Sequence, residues 1–377
     1  MFWAVLLMTL FLAYANGSND NFKGVATLYG SKTANFKQAL IWTSITSTLG
    51  SLLALYLASE LLIVFKGVGL VPEFVMSLEC FPIAVGLGAG VTVILATLFG
   101  LPVSTTHALV GALAGAGFAA SSGGINWTGL SSKFFLPLIA GPLFSLVLAA
   151  LLYPLLKKLR ASLDIDPETL IYLDKKVIAR LPLNSLSHGD ALKIASLELS
   201  LPVPALERRV STLSTYSGSI FSISAKKILD VLHYLSAGLV CFSRGLNDTP
   251  KIAALLLIGP ALGKEVSILL VGVFILVGGL IQSKKIAKTM GEEITEMNPG
   301  QAFSANLITG FMVFFASKWG VPVSTTHVSC GSIFGIGAVT KQAKWQTIKK
   351  ILLAWMTTLP LGFILGLLAM YALELVL

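Results

Sequence analysis

Charged residues are scarce in this 377-residue chain, at 12% of the total, whereas hydrophobic residues make up 55%. A typical soluble domain has about 25% charged residues, so this chain has too little polar surface to cover itself in water. Its three cysteines, Cys80, Cys241 and Cys330, are far apart in sequence, which argues against a disulfide framework or a zinc site. The four histidines lack metal-binding spacing, and the sequence has no Gly-x-x-x-x-Gly-Lys-Ser/Thr loop for ATP.

Long apolar runs are present instead. About 20 apolar residues are enough to cross the roughly 30 Å hydrocarbon core of a bilayer, so a lipid bilayer is the expected environment. The net charge of +9 does not indicate a nucleic-acid partner, because the basic residues lie between the apolar runs, where cytoplasmic loops carry them. Hydropathy predicts spans at residues 1–18, 37–63, 81–99, 104–120, 134–156, 228–244, 252–281, 302–317, 324–340 and 350–376.

The first apolar run resembles a secretory signal peptide in one respect, since Ala13-Tyr14-Ala15 has the pattern of a cleavage site. It lacks the basic residues that open such a peptide, and it has an internal counterpart described below. We therefore interpret residues 1–18 as the first membrane helix, with processing as the alternative.

A polar stretch divides the spans into two sets of five. We predict a first transmembrane repeat at residues 1–156, a central cytoplasmic loop at 157–226 and a second transmembrane repeat at 227–377. Apolar periodicity at residues 190–199 and 205–213 predicts helices within that loop. Five crossings per half place both termini outside the cell (plasma) membrane. The basic residues of the other predicted inside loops agree with this orientation: Lys23, Lys32, Lys37, Lys284, Lys285, Lys288, Lys341, Lys344, Lys349 and Lys350.

Two motifs recur in the same order in both halves. The sequence GLPVSTTH at residues 100–107 returns as GVPVSTTH at 320–327, and GSNDNFK at 17–23 returns more loosely as GLNDTPK at 245–251. An odd number of spans per half means that the second copy enters the membrane from the opposite side. The predicted fold is an all-α polytopic membrane protein of two inverted-topology repeats, with broken or re-entrant helices and about 10–12 transmembrane segments.

The hydroxyl-rich motifs stand at the start of apolar runs. A helix that begins there points unpaired N–H groups and the positive end of its dipole forward, which suits a tetrahedral oxyanion. The alternative is that these side chains only cap the helices. Their occurrence in both halves favours an anion site, with phosphate as the predicted ligand of Ser104, Thr105, Thr106, Ser324, Thr325 and Thr326.

An Asn-Asp pair interrupts an apolar stretch in each half. A carboxylate at membrane depth is costly unless it is paired or binds an ion, and these oxygens suit Na⁺ or a proton. Gly17 and Gly245 are expected to let the helices break at this point. A wet turn at the membrane surface is the alternative. The predicted sodium ligands are Asn19, Asp20, Asn247 and Asp248, and both aspartates are expected to contact phosphate through the cations.

Other polar residues near the motifs have less defined roles. Lys23 and Lys251 follow each Asp by three residues, where they would neutralise the carboxylate, contact the anion or extend to the membrane surface. His107 and His327 are expected to orient the motif by hydrogen bonding, with a proton relay as the alternative. Arg244 has no basic counterpart in the first half and is interpreted as a topology or entrance charge.

The paired G-x-N-D and P-V-S-T-T-H motifs, with inverted halves and a central loop, resemble the inorganic phosphate transporter (PiT) family. The resemblance implies an ion-coupled phosphate symporter, driven by Na⁺ in many members and by H⁺ in others. Many relatives read G-A-N-D-V-A-N after the first span, whereas Asn21, Phe22 and Lys23 follow Asp20 here.

We therefore expect a phosphate importer coupled to sodium, with no enzyme activity and no cofactor besides the coupling ions. Alternatives are a proton-coupled phosphate or metal-phosphate symporter, a sulfate symporter and an anion channel. The two aspartates favour phosphate over sulfate, because phosphate retains a proton near neutral pH. A homodimer is compatible with the sequence.

Overall fold

The computed structural model of the protein describes residues 1–173, 176–182, 186–207, 209–258, 262–293 and 297–376. Before residue 162 the regular elements are helices, joined by short turns. A 3-10 turn at Lys23–Val25 follows the first helix, and a π-helical stretch at Leu130–Phe135 precedes the last. The helices are α1 (Phe2–Asp20), α2 (Ala26–Gly30), α3 (Phe36–Leu57), α4 (Ser59–Val64), α5 (Glu73–Met76), α6 (Cys80–Leu98), α7 (Thr105–Ala120), α8 (Trp127–Gly129) and α9 (Leu136–Ala161).

The central segment differs from the helices around it. It contains a three-stranded antiparallel sheet of order β2-β1-β3, with β1 in the middle, and a β4-β5 hairpin. Its elements are β1 (Pro167–Leu173), β2 (Lys176–Leu181), α10 (His188–Leu199), α11 (Val203–Leu206), β3 (Val210–Tyr216), β4 (Ser219–Ile220) and β5 (Ile223–Ser224).

The helical prediction for the central loop is right in one place and wrong in another. Residues 190–199 lie in α10, which Ser187 caps by accepting a hydrogen bond from the Asp190 N–H. Residues 205–213 were expected to be helical, but β3 begins at Val210 and residue 208 lies outside the described residues. The run from Val210 to Tyr216 is rich in β-branched and hydroxyl residues, and it pairs along its whole length with β1. Tertiary pairing therefore outweighs the weak helical periodicity.

The second helical part begins directly after β5. A 3-10 turn at Ala254–Leu257 follows its first helix, and a π-helical stretch at Thr289–Glu293 follows its third. The helices are α12 (Ala225–Ala253), α13 (Lys264–Gln282), α14 (Lys284–Lys288), α15 (Pro299–Lys318), α16 (Thr325–Thr340) and α17 (Trp345–Val376).

Within the described residues, five helical stretches are long and apolar enough to cross a membrane by length and composition: α3, α6, the stretch Trp127–Ala161, α13 and α17. On α9, the outward side chains recur every three or four residues, as at Leu136, Ile139, Leu143 and Val147. Such an exposed apolar stripe is suited to lipid. The chain is thus a polytopic helical membrane protein.

Two predictions about the spans are wrong. The helix predicted at 228–244 continues through Asp248 to the end of α12, and the predicted span 252–281 is divided by the 3-10 turn. Residues 259–261 of that span lie outside the described residues. The helices also do not break at Gly17 or Gly245, which lie inside α1 and α12; the regular helix ends after Asp20 and after Ala253.

These two glycines have a packing role instead. A Cβ atom on Gly17 would overlap the carbonyl oxygen of Ile275 in α13, and one on Gly245 would overlap that of Ser47 in α3. Glycine therefore lets each helix approach a helix of the other half closely.

Equivalent helices of the two halves make equivalent packing contacts. Helix α1 packs on α6 and α13, and α12 packs on α15 and α3; α7 packs on α17, and α16 packs on α9. This matched pattern is what a two-fold relation between the halves would produce. It brings α1, α12 and the starts of α7 and α16 together in the interior.

Candidate functional site

The hydroxyl motif of the first half begins a helix inside the protein. Helix α6 ends at Leu98, and Gly100 turns the chain with a φ of +70°, a conformation that favours glycine. The chain is then non-helical until α7 begins at Thr105. Ser104 is the N-cap, and its Oγ accepts a hydrogen bond of 3.1 Å from the His107 N–H.

The second half repeats this geometry. Gly320 turns the chain with a φ of +68°, and α16 begins at Thr325. The Oγ of Ser324 accepts a hydrogen bond of 3.2 Å from the His327 N–H. In this conformation both serine hydroxyls cap their helices, as the alternative interpretation expected, while Thr106 and Thr326 contact the other half.

The two helix starts touch each other. The Oγ1 of Thr106 donates to the carbonyl of Val323 over 3.2 Å, and the Oγ1 of Thr326 donates to the carbonyl of Val103 over 3.0 Å. The equivalent rings of the two halves, His107 and His327, are 4.3 Å apart between centroids. The two predicted anion-binding motifs therefore converge on one buried place.

Both predicted aspartates lie at the same place. The Oδ2 of Asp20 accepts from the Oγ1 of Thr105 and from the Nδ2 of Asn16, each over 2.9 Å. The same Asn16 Nδ2 lies 3.3 Å from the Oδ2 of Asp248 and so connects the two carboxylates. Asn16 was not predicted, although a polar residue one helical turn before an aspartate in an apolar run is a usable signal.

The two predicted asparagines hold the non-helical segments before α7 and α16. The Oδ1 of Asn19 accepts from the Val103 N–H over 3.1 Å, and its Nδ2 donates to the carbonyl of Leu101 over 3.0 Å. The Nδ2 of Asn247 lies 3.3 Å from both the Val323 carbonyl and the Oγ1 of Thr325. In both halves the asparagine therefore positions the backbone next to a helix start.

Lys23 lies inside the site, so an extended position at the membrane surface is excluded. It is 2% exposed, and its Nζ forms an ion pair with Asp20. The same Nζ donates to the Oδ1 of Asn19 over 2.7 Å, to the carbonyl of Val103 over 2.6 Å and to the Oγ1 of Thr326 over 2.7 Å.

Lys251 is also 2% exposed, which excludes the surface position here too. Its Nζ donates to the carbonyl of Val323 over 2.6 Å and to the Oγ1 of Thr106 over 2.9 Å. It stays 4.0 Å from the Oδ1 of Asp248. Each lysine thus contacts the Val of its own half and the Thr of the other half.

Arg244 is fully buried, so its interpretation as an entrance charge is wrong. Its Nη2 donates to the Oδ1 of Asn21 over 2.7 Å and to the hydroxyl of Ser47. Its Nε and Nη1 have no hydrogen-bond partner in the part of the chain that the structure describes. Sequence alone could not separate a loop arginine from a buried one, because hydropathy ended the predicted helix at that residue.

The histidines lie behind the helix starts. The Nδ1 of His107 is 2.9 Å from the Oγ of Ser104, which agrees with an orienting role. The ring of His327 packs against that of Trp355, with 3.8 Å between centroids, and its Nε2 has no partner.

The site brings hydrogen-bond donors suited to an anion next to oxygen atoms suited to a cation. A small pocket, too narrow for a water molecule in this conformation, lies at the helix starts. It is lined by Thr105, Thr106, Leu109, Asp248, Lys251 and Ile252. Hydroxyls, an ammonium group and helix N-termini favour an anion there. The Nδ2 of Asn16 contacts both carboxylates, and its Oδ1 is a buried acceptor without a partner among the described residues, which suits a cation.

A multi-pass helical protein with a buried polar site between two matched halves has the architecture of a secondary transporter. Comparisons with known proteins agree. A sequence model of the family described as the phosphate transporter family matches residues 16–366. The chain therefore belongs to the phosphate transporter family, a class of transporters and not of enzymes.

Individual proteins give the same result. The chain is 29% identical to a protein of Haemophilus influenzae named "Putative phosphate permease", over 99% of this chain and 96% of that one. It is 26% identical to the chloroplastic inorganic phosphate transporter 2-1 of Arabidopsis thaliana, over 96% of this chain and 70% of that one. A solved structure named as the sodium-dependent phosphate transporter has the same fold, with a TM-score of 0.76 and 20% identity over 100% of this chain and 99% of that one.

Proposed function

We propose that the chain imports inorganic phosphate across the plasma membrane by symport with a cation, and that sodium is this cation. The observation that carries the proposal is the meeting of two Ser-Thr-Thr helix starts and two aspartates at one buried point, where Thr106 contacts the Val323 carbonyl and Thr326 the Val103 carbonyl. An oxyanion and its counter-cation both find suitable partners there.

Phosphate is assigned to the pocket at the helix starts. Thr105, Thr106 and Lys251 are its donors from this side, with Thr325 and Thr326 as their equivalents. Ser104 and Ser324 contribute through the helix ends that they cap. A phosphate monoanion next to Asp248 is acceptable because phosphate carries protons that donate to a carboxylate, which sulfate lacks near neutral pH.

Sodium is assigned to the oxygens around the two aspartates. Asp20 and Asp248 supply charge, and Asn19 and Asn247 supply further oxygens. Asn16, whose Nδ2 contacts both carboxylates, adds a neutral oxygen, since its Oδ1 has no partner among the described residues. The sodium-dependent phosphate transporter that shares the fold supports sodium over other cations.

The two halves are proposed to be inverted repeats at residues 1–156 and 227–377, joined by the cytoplasmic segment 157–226. The matched helix packing supports this division. Alternating access would then come from one group of helices rocking against the rest around the buried site.

The test is uptake of radiolabelled phosphate by the purified protein in liposomes. An inward Na⁺ gradient should drive accumulation above equilibrium, and choline in place of Na⁺ should reduce it severalfold. Accumulation in Na⁺-free buffer under a pH gradient would instead establish proton coupling. Uptake of radiolabelled sulfate instead of phosphate would show that phosphate is the wrong substrate. Phosphate conductance without accumulation would show that the protein is a channel.

A further inference from the structure

The ammonium group of Lys23 lies in a cage made only of oxygen atoms. Its neighbours are the Oδ1 of Asn19 at 2.7 Å, the carbonyl of Val103 at 2.6 Å, the Oγ1 of Thr326 at 2.7 Å and the carboxylate of Asp20. A lysine ammonium has three N–H donors, so four oxygens exceed what it can satisfy by direct donation. One carboxylate, one amide, one carbonyl and one hydroxyl form the kind of oxygen set that binds a hard cation.

The cage is built by both halves and is closed. Asn19 and Asp20 come from the end of α1, Val103 precedes α7, and Thr326 belongs to α16. The hydroxyl of Thr326 also points to this centre, lying 3.0 Å from the Val103 carbonyl and 3.3 Å from the Oδ1 of Asp20. The Asn19, Asp20 and Val103 oxygens are acceptors only, so they would repel one another without a positive charge between them.

The equivalent lysine of the second half is placed differently. Lys251 also contacts the carbonyl of a valine and the hydroxyl of a threonine, but its Nζ stays 4.0 Å from Asp248. It faces the small pocket at the helix starts. Asp248 instead accepts from Asn247 over 2.9 Å and shares Asn16 with Asp20. The carboxylate of the second half thus has no ammonium in direct contact.

We propose that Lys23 is a built-in counter-ion: its ammonium occupies the cation position beside Asp20, so that phosphate moves with at most one sodium ion, bound at Asp248. Lys251 acts as a donor to the anion. This inference rests on the proposed function and specifies how the site couples to cations.

The test compares Na⁺ dependence in the wild type with that in Lys23→Asn. Asparagine is neutral and too short to fill the cage, so a sodium ion should replace the ammonium. Phosphate binding by this variant in Na⁺-free choline buffer should fall about tenfold or more, or about 1.4 kcal/mol. Added Na⁺ should restore it, with a Hill coefficient for Na⁺ higher than that of the wild type by about one.

Two further variants serve as controls. Lys23→Met removes the charge and keeps the cage filled, so Na⁺ should not restore phosphate binding. Lys251→Asn should weaken phosphate binding at every Na⁺ concentration without a steeper Na⁺ response. Unchanged Na⁺ dependence in Lys23→Asn, or equal rescue of Lys23→Met, would overturn the role of Lys23.

The wild type gives an independent answer where a variant does not fold. The ratio of ²²Na⁺ to radiolabelled phosphate taken up into liposomes should be one or less. A ratio of two or more would overturn the inference while leaving sodium-coupled phosphate transport intact. No phosphate uptake by the wild type under any cation gradient would instead reject the proposed function.

Discussion

At the residue scale, the two aspartates differ in their contacts with the nearby lysines. Asp20 is paired with the ammonium of Lys23, whereas Lys251 is 4.0 Å from Asp248. Replacing either Asp by Asn should abolish Na⁺-stimulated phosphate uptake, because Asp248→Asn removes the charge proposed to hold sodium and Asp20→Asn removes the partner of the Lys23 ammonium. Removing one partner of a buried ion pair costs about 3–5 kcal/mol, so Asp20→Asn should also lower the melting temperature more than Asp248→Asn does.

Uptake into liposomes and thermal melting in detergent check this prediction. Surface expression of each variant must be shown first, because a protein that does not reach the membrane is uninformative. Full Na⁺-stimulated uptake in either variant would remove that aspartate from the site.

The threonines at the helix starts test whether hydroxyl groups bind the anion. Thr106→Val or Thr326→Val keeps the shape and removes one donor, which is worth about 0.5–1.5 kcal/mol. The phosphate Kd should rise roughly 2- to 10-fold. Thr92→Val is the matched control, since the Thr92 hydroxyl donates only to the carbonyl of Gly88 within its own helix. Equal phosphate affinity in all three variants would show that these hydroxyls only stabilise the protein.

Sequence reasoning at this scale found most of the polar side chains that converge. It did so because each residue of the Asn-Asp and Ser-Thr-Thr motifs recurs in the other half. It placed Lys23 and Arg244 poorly, because a charged residue near the end of an apolar run has the same pattern whether it faces solvent or the interior. Ligand roles for the convergent residues stay predictions.

At the element scale, small residues set the distance between helices. An alanine at Gly17 or Gly245 would place its Cβ against a backbone carbonyl of α13 or α3, which cannot move as a side chain can. Each substitution should reduce stability by about 1–3 kcal/mol or more. Gly141→Ala in α9 is the control, since its Cβ would meet a Val328 methyl group at 3.5 Å, an ordinary contact.

Thermal melting of the three alanine variants in one detergent checks this prediction. The two interface variants should melt lower than the wild type, and the α9 variant should melt at or above it. Wild-type melting of Gly17→Ala and Gly245→Ala would mean that these helices separate at little cost.

Most spans could be predicted because helices α3, α6, α9 and α17 are continuous apolar runs. Helix α12 could not, because it carries Arg244, Asn247, Asp248 and Lys251 in its buried second half, which hydropathy scores as a loop. These groups are tolerated in the interior because each has a polar contact from the other half: Asn21 for Arg244, Asn16 for Asp248 and Thr106 for Lys251. The strand β3 was missed since its pairing with β1 is not local in sequence.

At the scale of the whole molecule, contacts tie together three segments that the charge pattern places on the same side. The Nζ of Lys32, after α2, donates to the carbonyl of Thr212 in β3 over 2.9 Å. The hydroxyl of Tyr216 donates to the Oδ1 of Asn298, before α15, over 2.6 Å. The central segment therefore packs against two other predicted inside loops.

Labelling of single cysteines tests the proposed orientation. The native Cys80 is half-buried and is replaced by Ser, whereas Cys241 and Cys330 are fully buried. Leu197 in α10 is 81% exposed, and Leu375 near the end of α17 is 88% exposed. A membrane-impermeant maleimide added to intact cells should label Leu375→Cys and should label Leu197→Cys only after the membrane is opened.

The two labelled positions test two inferences separately: the side of the central segment and the number of crossings after it. Basic loops retained on the cytoplasmic side fix the central segment inside, and an odd number of crossings after it then takes the C-terminus outside. Labelling of both cysteines from the same side would mean an even number of crossings in the second half, which is incompatible with inverted repeats. Labelling of Leu197→Cys but not of Leu375→Cys in intact cells would be compatible with inverted repeats inserted in the opposite orientation. The inference from the basic loops would then be wrong, and the inference of a duplication would stand.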